Sequence, residues 1–272
     1  MGLKLLLLLV PVVAAVAVAA TPVSFVQGHQ TAAGAFAETG GPADPALTAW
    51  AVLGLRSAGA GAPGALQYLQ GAEPGLQTAP DVALVALAEE ALGAQPDALL
   101  ARLRAAERTD GRIGESLNGT YWAVLALGAA PPATLRTILA HQSRSGGFSW
   151  GAGVQPDSND TAAALEALRV AGVHGAPVSR AVAFLRSFQR ADGGFELQHG
   201  RGSDAQSTAW AIQGFVAAGQ APPQSAFRYL QRLRSADGSY RYSAAYATTP
   251  VWVTSQVLAA LARKPFPLQA SS

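Results

Sequence analysis

The sequence predicts an all-α protein built from six helical hairpins. Three observations predict it: a helix breaker recurs eleven residues after each of a set of aligned anchor residues, a proline opens the helix that precedes each anchor, and a glycine-aromatic turn joins the two helices of a pair. The composition agrees with a folded, helix-rich chain. Of 272 residues, 50% are apolar and only 13% are charged, against roughly 25% charged in an ordinary globular domain. The length suits one large domain or two small ones. The chain has no cysteine and a formal net charge of +2. Disulfides, cysteine-ligated zinc and thiol nucleophiles are thereby excluded, and so near a charge balance offers no broad positive field for nucleic acid.

Residues 1–20 differ from all that follows. Lys4 supplies a short positive region, Leu5 to Val18 is unbroken apolar sequence, and Ala17-Val18-Ala19 offers a small-residue cleavage site. This pattern reads as a secretory signal peptide. A retained anchor is the alternative, but Leu5 to Ala20 is 16 residues, short of the roughly 20 needed to span hydrocarbon. No later segment spans a bilayer, because charge, Gly or Pro interrupts every apolar stretch. The expected location is secreted or cell-envelope, with helix packing rather than disulfides supplying stability.

The six units follow from one register. Thr48, Val82, Thr120, Thr161, Thr208 and Thr254 are the anchors, and Gly59, Gly93, Pro131, Gly172, Gly219 and Pro265 are the breakers eleven residues on. Each unit opens on a first helix with a proline at its start: Pro22, Pro63, Pro96, Pro132, Pro177 and Pro222. Proline suits a first helical turn, where its missing N–H has no partner to lose. Thr21 is placed to cap the first of these helices. Apolar residues then recur at helical spacing, as in Val178, Val182, Leu185 and Phe188, giving one-faced helices. The second helix of each unit begins around a polar cap, such as Asp81, Asp160 or Ser207, and runs to the breaker. It is apolar nearly all round and is therefore expected to be buried. Periodicity leaves open whether six such pairs form a solenoid or a closed ring.

The turn between the helices is the most repeated element. It reads Gln189-Arg190-Ala191-Asp192-Gly193-Gly194-Phe195 in the fifth unit and Gln142-Ser143-Arg144-Ser145-Gly146-Gly147-Phe148 in the fourth. Gln30, Gly34 and Phe36 keep the spacing in the first, Arg234, Gly238 and Tyr240 in the sixth, and Glu107, Gly111 and Ile113 in the third. Only Gly75 and Leu76 remain in the second. Glycine permits the positive φ that ends a helix, the Gln or its charged substitute bonds freed backbone groups, and the aromatic packs back over the turn.

This motif resembles the repeats of the terpenoid cyclase and protein prenyltransferase superfamily. The resemblance covers Pro22 to about Pro265, so the domain is taken as residues 21–265, with 266–272 a short tail. It implies an α/α toroid (α6/α6 barrel) of six helix-hairpin repeats around a central cavity. Asp157-Ser158-Asn159-Asp160-Thr161-Ala162 resembles the acidic motif of class II terpene cyclases, Asp-x-Asp-Asp-Thr-Ala, whose middle acid protonates an alkene. Here that position is Asn159, whose amide delivers no such proton. Asp157 or Asp160 is the remaining general acid, since a carboxyl in an apolar cavity keeps its proton to higher pH. The competing reading makes Asp160 a helix cap and Asp157 part of a solvated turn.

Other chemistry finds little support. His29, His141, His174 and His199 are scattered without a close pair at ligand spacing, and the loop after Asp157 has Ala162 and Leu168 where a calcium loop needs Gly and Glu. No cofactor or metal is expected. Asn118-Gly119-Thr120 matches a glycosylation sequon and equally suits a turn before a helix. Trp50, Trp122 and Trp210 share one repeat position, two residues past the anchor, where they pack inner helices or line a cavity. Tyr121 and Trp252 lack that regularity and are expected to line the pocket. The resulting expectation is an exported toroid that binds a hydrophobic, isoprenoid-like ligand or an envelope protein partner without catalysis. The alternatives are a small terpene-cyclase-like or prenyl-transfer enzyme using Asp157 or Asp160, and an envelope scaffold.

Overall fold

The computed structural model describes residues 20–268. Residues 1–19 of the expected signal segment and the last four residues lie outside them. The outer helices are α1 (Pro22–Gln27), α3 (Ala65–Ala72), α5 (Asp97–Ala105), α7 (Pro132–Ala140), α9 (Ala176–Arg186) and α11 (Gln224–Leu233). The inner helices are α2 (Pro45–Ser57), α4 (Ala79–Ala91), α6 (Leu117–Leu127), α8 (Ser158–Val170), α10 (Ala205–Ala217) and α12 (Pro250–Ala262). Each inner helix packs on the next, and α12 packs on α2, so the ring is closed. The outer helices brace its circumference, α1 resting on both α12 and α2. Inner helices are buried along nearly their whole length, as Thr161 to Leu168 are in α8. None of the described helices is long and apolar enough to cross a membrane.

The starts of the outer helices differ in detail from the sequence expectation. Thr21 caps α1 by accepting the Ser24 N–H at 3.0 Å, with Pro22 in the first turn. Pro132 and Pro177 likewise lie in the first turns of α7 and α9. Pro63, Pro96 and Pro222 instead precede α3, α5 and α11, so they steer the chain into a helix without forming its first turn. The caps of the inner helices also shift. Thr78, Asp157 and Asp204 cap α4, α8 and α10, each accepting the N–H three residues on from Asp81, Asp160 and Ser207. The cap must stand outside the helix for its side chain to reach back to that donor.

The anchor threonine ties each turn to its inner helix. The N–H of Phe36, Phe148, Phe195 and Tyr240 donates to Oγ1 of Thr48, Thr161, Thr208 and Thr254, each at 2.9 Å, and that of Ile113 to Thr120 at 3.0 Å. In four units the same hydroxyl passes its own proton to the carbonyl four residues back, that of Asp44, Ser116, Asp157 or Asp204. Val82 has no hydroxyl, and the second unit has lost this link. Arg102 of α5 bridges the gap by donating to the Glu73 and Leu76 carbonyls at 2.9 and 2.6 Å.

The turn glutamine reaches the next unit. Gln30 donates to the Gly34 and Pro63 carbonyls at 2.9 and 2.8 Å, and Gln142 donates to those of Gly146 and Pro177, both at 2.8 Å. At the seam the same relation joins last to first, with Arg234 donating to the Ala20 carbonyl at 2.8 Å. Gly238, at φ +90°, lies so close that a Cβ there would meet the Thr21 carbonyl oxygen at 2.5 Å. Thr249 makes no side-chain cap on α12. Glu38 supplies one from the first unit, accepting the Val251 and Trp252 N–H groups at 3.0 and 2.9 Å.

Thr208→Val keeps the shape of the anchor and leaves the buried Phe195 N–H without an acceptor. The expected loss is about 1–3 kcal/mol in chemical denaturation, and an unchanged midpoint would contradict the role given to the hydroxyl.

Candidate functional site

The register that aligns the anchors also builds a cup. The residues two before each anchor are Ala46, Pro80, Asn118, Asn159, Gln206 and Trp252. Those two after are Trp50, Leu84, Trp122, Ala163, Trp210 and Gln256. All twelve line one cavity of about 400 Å³, together with Asp81, Asp157, Asp160 and Leu197. Positions four apart fall on the same face of a helix. The two sets therefore form stacked rings, an upper one rich in carboxamides and a lower one rich in indoles.

The lower ring closes the barrel. Trp50, Trp122 and Trp210 come from alternate units and meet edge to face at centroid distances of 5.4, 5.5 and 5.7 Å. Phe266 lies beyond them, 6.0 Å from Trp50 and 6.4 Å from Trp122, and is 1% exposed. Its carbonyl accepts from Arg169 and the neighbouring Lys264 carbonyl accepts from Gln213. Phe266, at the head of the segment expected to be a short tail, therefore plugs the barrel behind the indoles. The void between this plug and the indoles is only about 10 Å³, so the binding space is shallow.

The acidic motif is arranged differently from either sequence reading. Asp157 is the helix cap, accepting the Asp160 N–H at 2.8 Å, and it is buried, not solvated. Asp160 is buried one turn along, with the Asn118 amide donating to its Oδ1 at 2.6 Å. Burial raises both carboxyls above the usual range; the charge of Asp157 raises Asp160 further, while backbone and side-chain donors partly offset the effect on Asp157. The pair thus retains a proton at pH values where free carboxylates have lost it. Asn159 holds the upper-ring position itself, so a carboxamide stands where the cyclase motif places its acid.

Trp252 lines the upper ring and the three aligned tryptophans the lower, but Tyr121 does not reach the cup. It is fully buried between helix and turn, its hydroxyl donating to the Ser149 carbonyl at 3.1 Å and its ring 6.1 Å from Phe148. One residue past the Thr120 anchor, it faces sideways off the barrel axis. Asn118, Gln206, Gln256, Asp81 and Phe266 were not expected at the pocket from the sequence, where Asn118 reads as part of a sequon and Asp81 as a helix cap. Applying the anchor offset to every unit finds the first three. Among the described residues no three or more His, Asp or Glu side chains gather as a metal site.

No protein-family model matches the sequence, and no curated protein matches it. Solved structures do. A protein from Actinoplanes superposes with a TM-score of 0.70 at 17% identity, over 89% of this chain and 97% of that one. The type II terpene cyclase MstE from Scytonema in its apo form gives 0.66 at 16%, over 89% and 95%. Protein geranylgeranyltransferase-I of Candida albicans gives 0.59 at 14%, over 84% and 86%. The chain has the α/α toroid fold that type II terpene cyclases and protein prenyltransferases share.

Two further buried acids sit among the inner helices. Glu166 is pushed up to about 8 by complete burial, and Glu89 to about 7 by burial and the charge of Glu73. A carboxyl raised in the folded chain binds its proton more tightly there than when unfolded. Its contribution is therefore complete below the unfolded pKa and is lost as pH rises through the folded value. The melting temperature should fall from about pH 5 to about pH 8.5. Glu166→Gln should flatten part of that fall, as followed by circular dichroism.

Proposed function

We propose that the protein is an exported α/α toroid that binds a small ligand with an apolar body in the cup and does not transform it. The observation that carries this reading is Asn159, a carboxamide facing the cup at the position of the acid in the cyclase motif. The closed indole floor supports it by limiting the ligand to the lower part of the roughly 300–1,000 Å³ range of small-molecule sites. The Scytonema cyclase holds geranylgeranyl dihydroxybenzoate as substrate and the Candida transferase holds geranylgeranyl diphosphate. By analogy of fold the ligand here is isoprenoid-like, and the depth of the cup makes it shorter than those. Residues 1–20 act as the export signal and place the protein outside the cytoplasm, where an envelope partner has access to its surface.

A second reading is favoured by the protonated Asp157–Asp160 pair, which lines the same cup and has a proton to give. In that reading Asp160 is the general acid, and burial and the charge of Asp157 beside it favour the protonated form that has a proton to donate.

The indole triad makes tryptophan fluorescence the direct readout. Geraniol should perturb it saturably, and Ala163→Trp, which fills the gap in the lower ring, should weaken binding about ten-fold or more. No saturable change would overturn the binding reading. Product formed from isoprenoid alkenes by the wild-type protein, and lost in Asp160→Asn, would replace it with acid catalysis.

A further inference from the structure

The cup carries an alternation that the shared fold does not require. Units one, three and five place Trp50, Trp122 and Trp210 in the floor. Units two, four and six place polar groups beside them: Asp81, the Asp157–Asp160 pair and Gln256. Below the carboxamides of Asn118, Asn159 and Gln206 and the indole of Trp252, the floor indoles of the odd units thus share the cup with oxygen-bearing groups from each of the even units. Among the described residues no Lys or Arg lines the cup.

Gln256 is the decisive member. It occupies the lower ring between the units of Trp50 and Trp210, where units two and four have Leu84 and Ala163. Its side chain is 4% exposed, and Oε1 is buried with no hydrogen-bond partner among the described residues. A buried acceptor without a donor is destabilising, and such groups persist in folded proteins where a ligand or water completes them. Asp81 and Asp160 stand three residues earlier in the repeat, which the helical rise puts about 4.5 Å above the level of Gln256.

We propose that this cup recognises a primary ammonium group carried on a short apolar body, the three N–H donors facing Gln256, Asp81 and the Asp157–Asp160 pair above the indole floor. An ammonium supplies three donors and no acceptor, matching three acceptor positions. Its charge is neutralised by the carboxyl groups and attracted by the faces of the indoles, which a desolvated cation requires. A diphosphate head would find no positive side chain in the lining. The inference rests on the cup being the binding site and adds the chemistry of the ligand's head group.

The test compares geranylamine, geraniol and geranyl diphosphate by tryptophan fluorescence on the purified protein. Geranylamine should bind about ten-fold or more tightly than geraniol. The ratio of the two affinities should fall toward one in Asp81→Asn and in Gln256→Leu, and rise in Gln256→Glu. Circular dichroism and melting temperature establish that each variant is folded. Equal affinity for amine and alcohol, or preference for the diphosphate, overturns the ammonium inference and leaves the cup as a binding site. Failure of all three probes overturns the binding reading and the inference with it.

Discussion

The hydroxyl of the anchor threonine holds this ring together. A helix-turn-helix pair has a natural hinge where its turn leaves the outer helix, and six loose hinges would not close. The Oγ1 of Thr48, Thr120, Thr161, Thr208 or Thr254 accepts the N–H of the residue that ends the turn. In four of these units it also donates to the carbonyl one helical turn back. With both donor and acceptor engaged, the side chain fixes the distance from turn to helix. The turn residue is drawn inward as a result, and Phe36, Phe148 and Phe195 are completely buried. Each inner helix then starts in the same rotational phase, and residues at equal offset from the anchor converge on the axis.

Closure repeats the internal contacts at the seam. Gly238 meets the Thr21 backbone much as Gly193 meets that of Ser225, and Arg234 takes the glutamine's part by reaching Ala20. The seam departs from the repeat in its cap. Inner helices elsewhere are capped by the residue just before them, whereas α12 borrows the carboxylate of Glu38 from the first unit. Gly54 lets α2 approach the α12 backbone, since a Cβ there would meet the Ser255 carbonyl oxygen at 2.4 Å. These contacts make the first and last units interdependent across more than two hundred residues.

The phase imposed by the threonines explains why the cup has its particular lining. Residues two before and two after the anchor face the axis, so Asn159 points into the space and its neighbours Asp157 and Asp160 flank it. A one-letter change in the acidic motif therefore alters the cup directly, while the two aspartates serve as cap and wall. Large side chains from alternating units would clash if all six were tryptophan; with three, they meet edge to face and close the floor. Such packing gives stability to a disulfide-free chain and leaves a shallow polar-rimmed space above it.

The repeat units, the two helix classes and the threonine register were legible in the sequence, because a breaker at constant distance and a turn of fixed spacing are local features. The three aligned tryptophans announced a shared environment, though not whether they would meet. Only the tertiary structure decided that the chain closes, through contacts between Ala20, Thr21, Glu38 and the last unit. It likewise decided that Phe266 enters the barrel, that Tyr121 turns away from the axis and that Asp157 is the cap. The sequence by itself determined the repeated hairpin and hence the all-α class. The cup, its depth and the orphan oxygen of Gln256 arise where six helices distant in the chain meet on one axis, and no local pattern encodes that meeting.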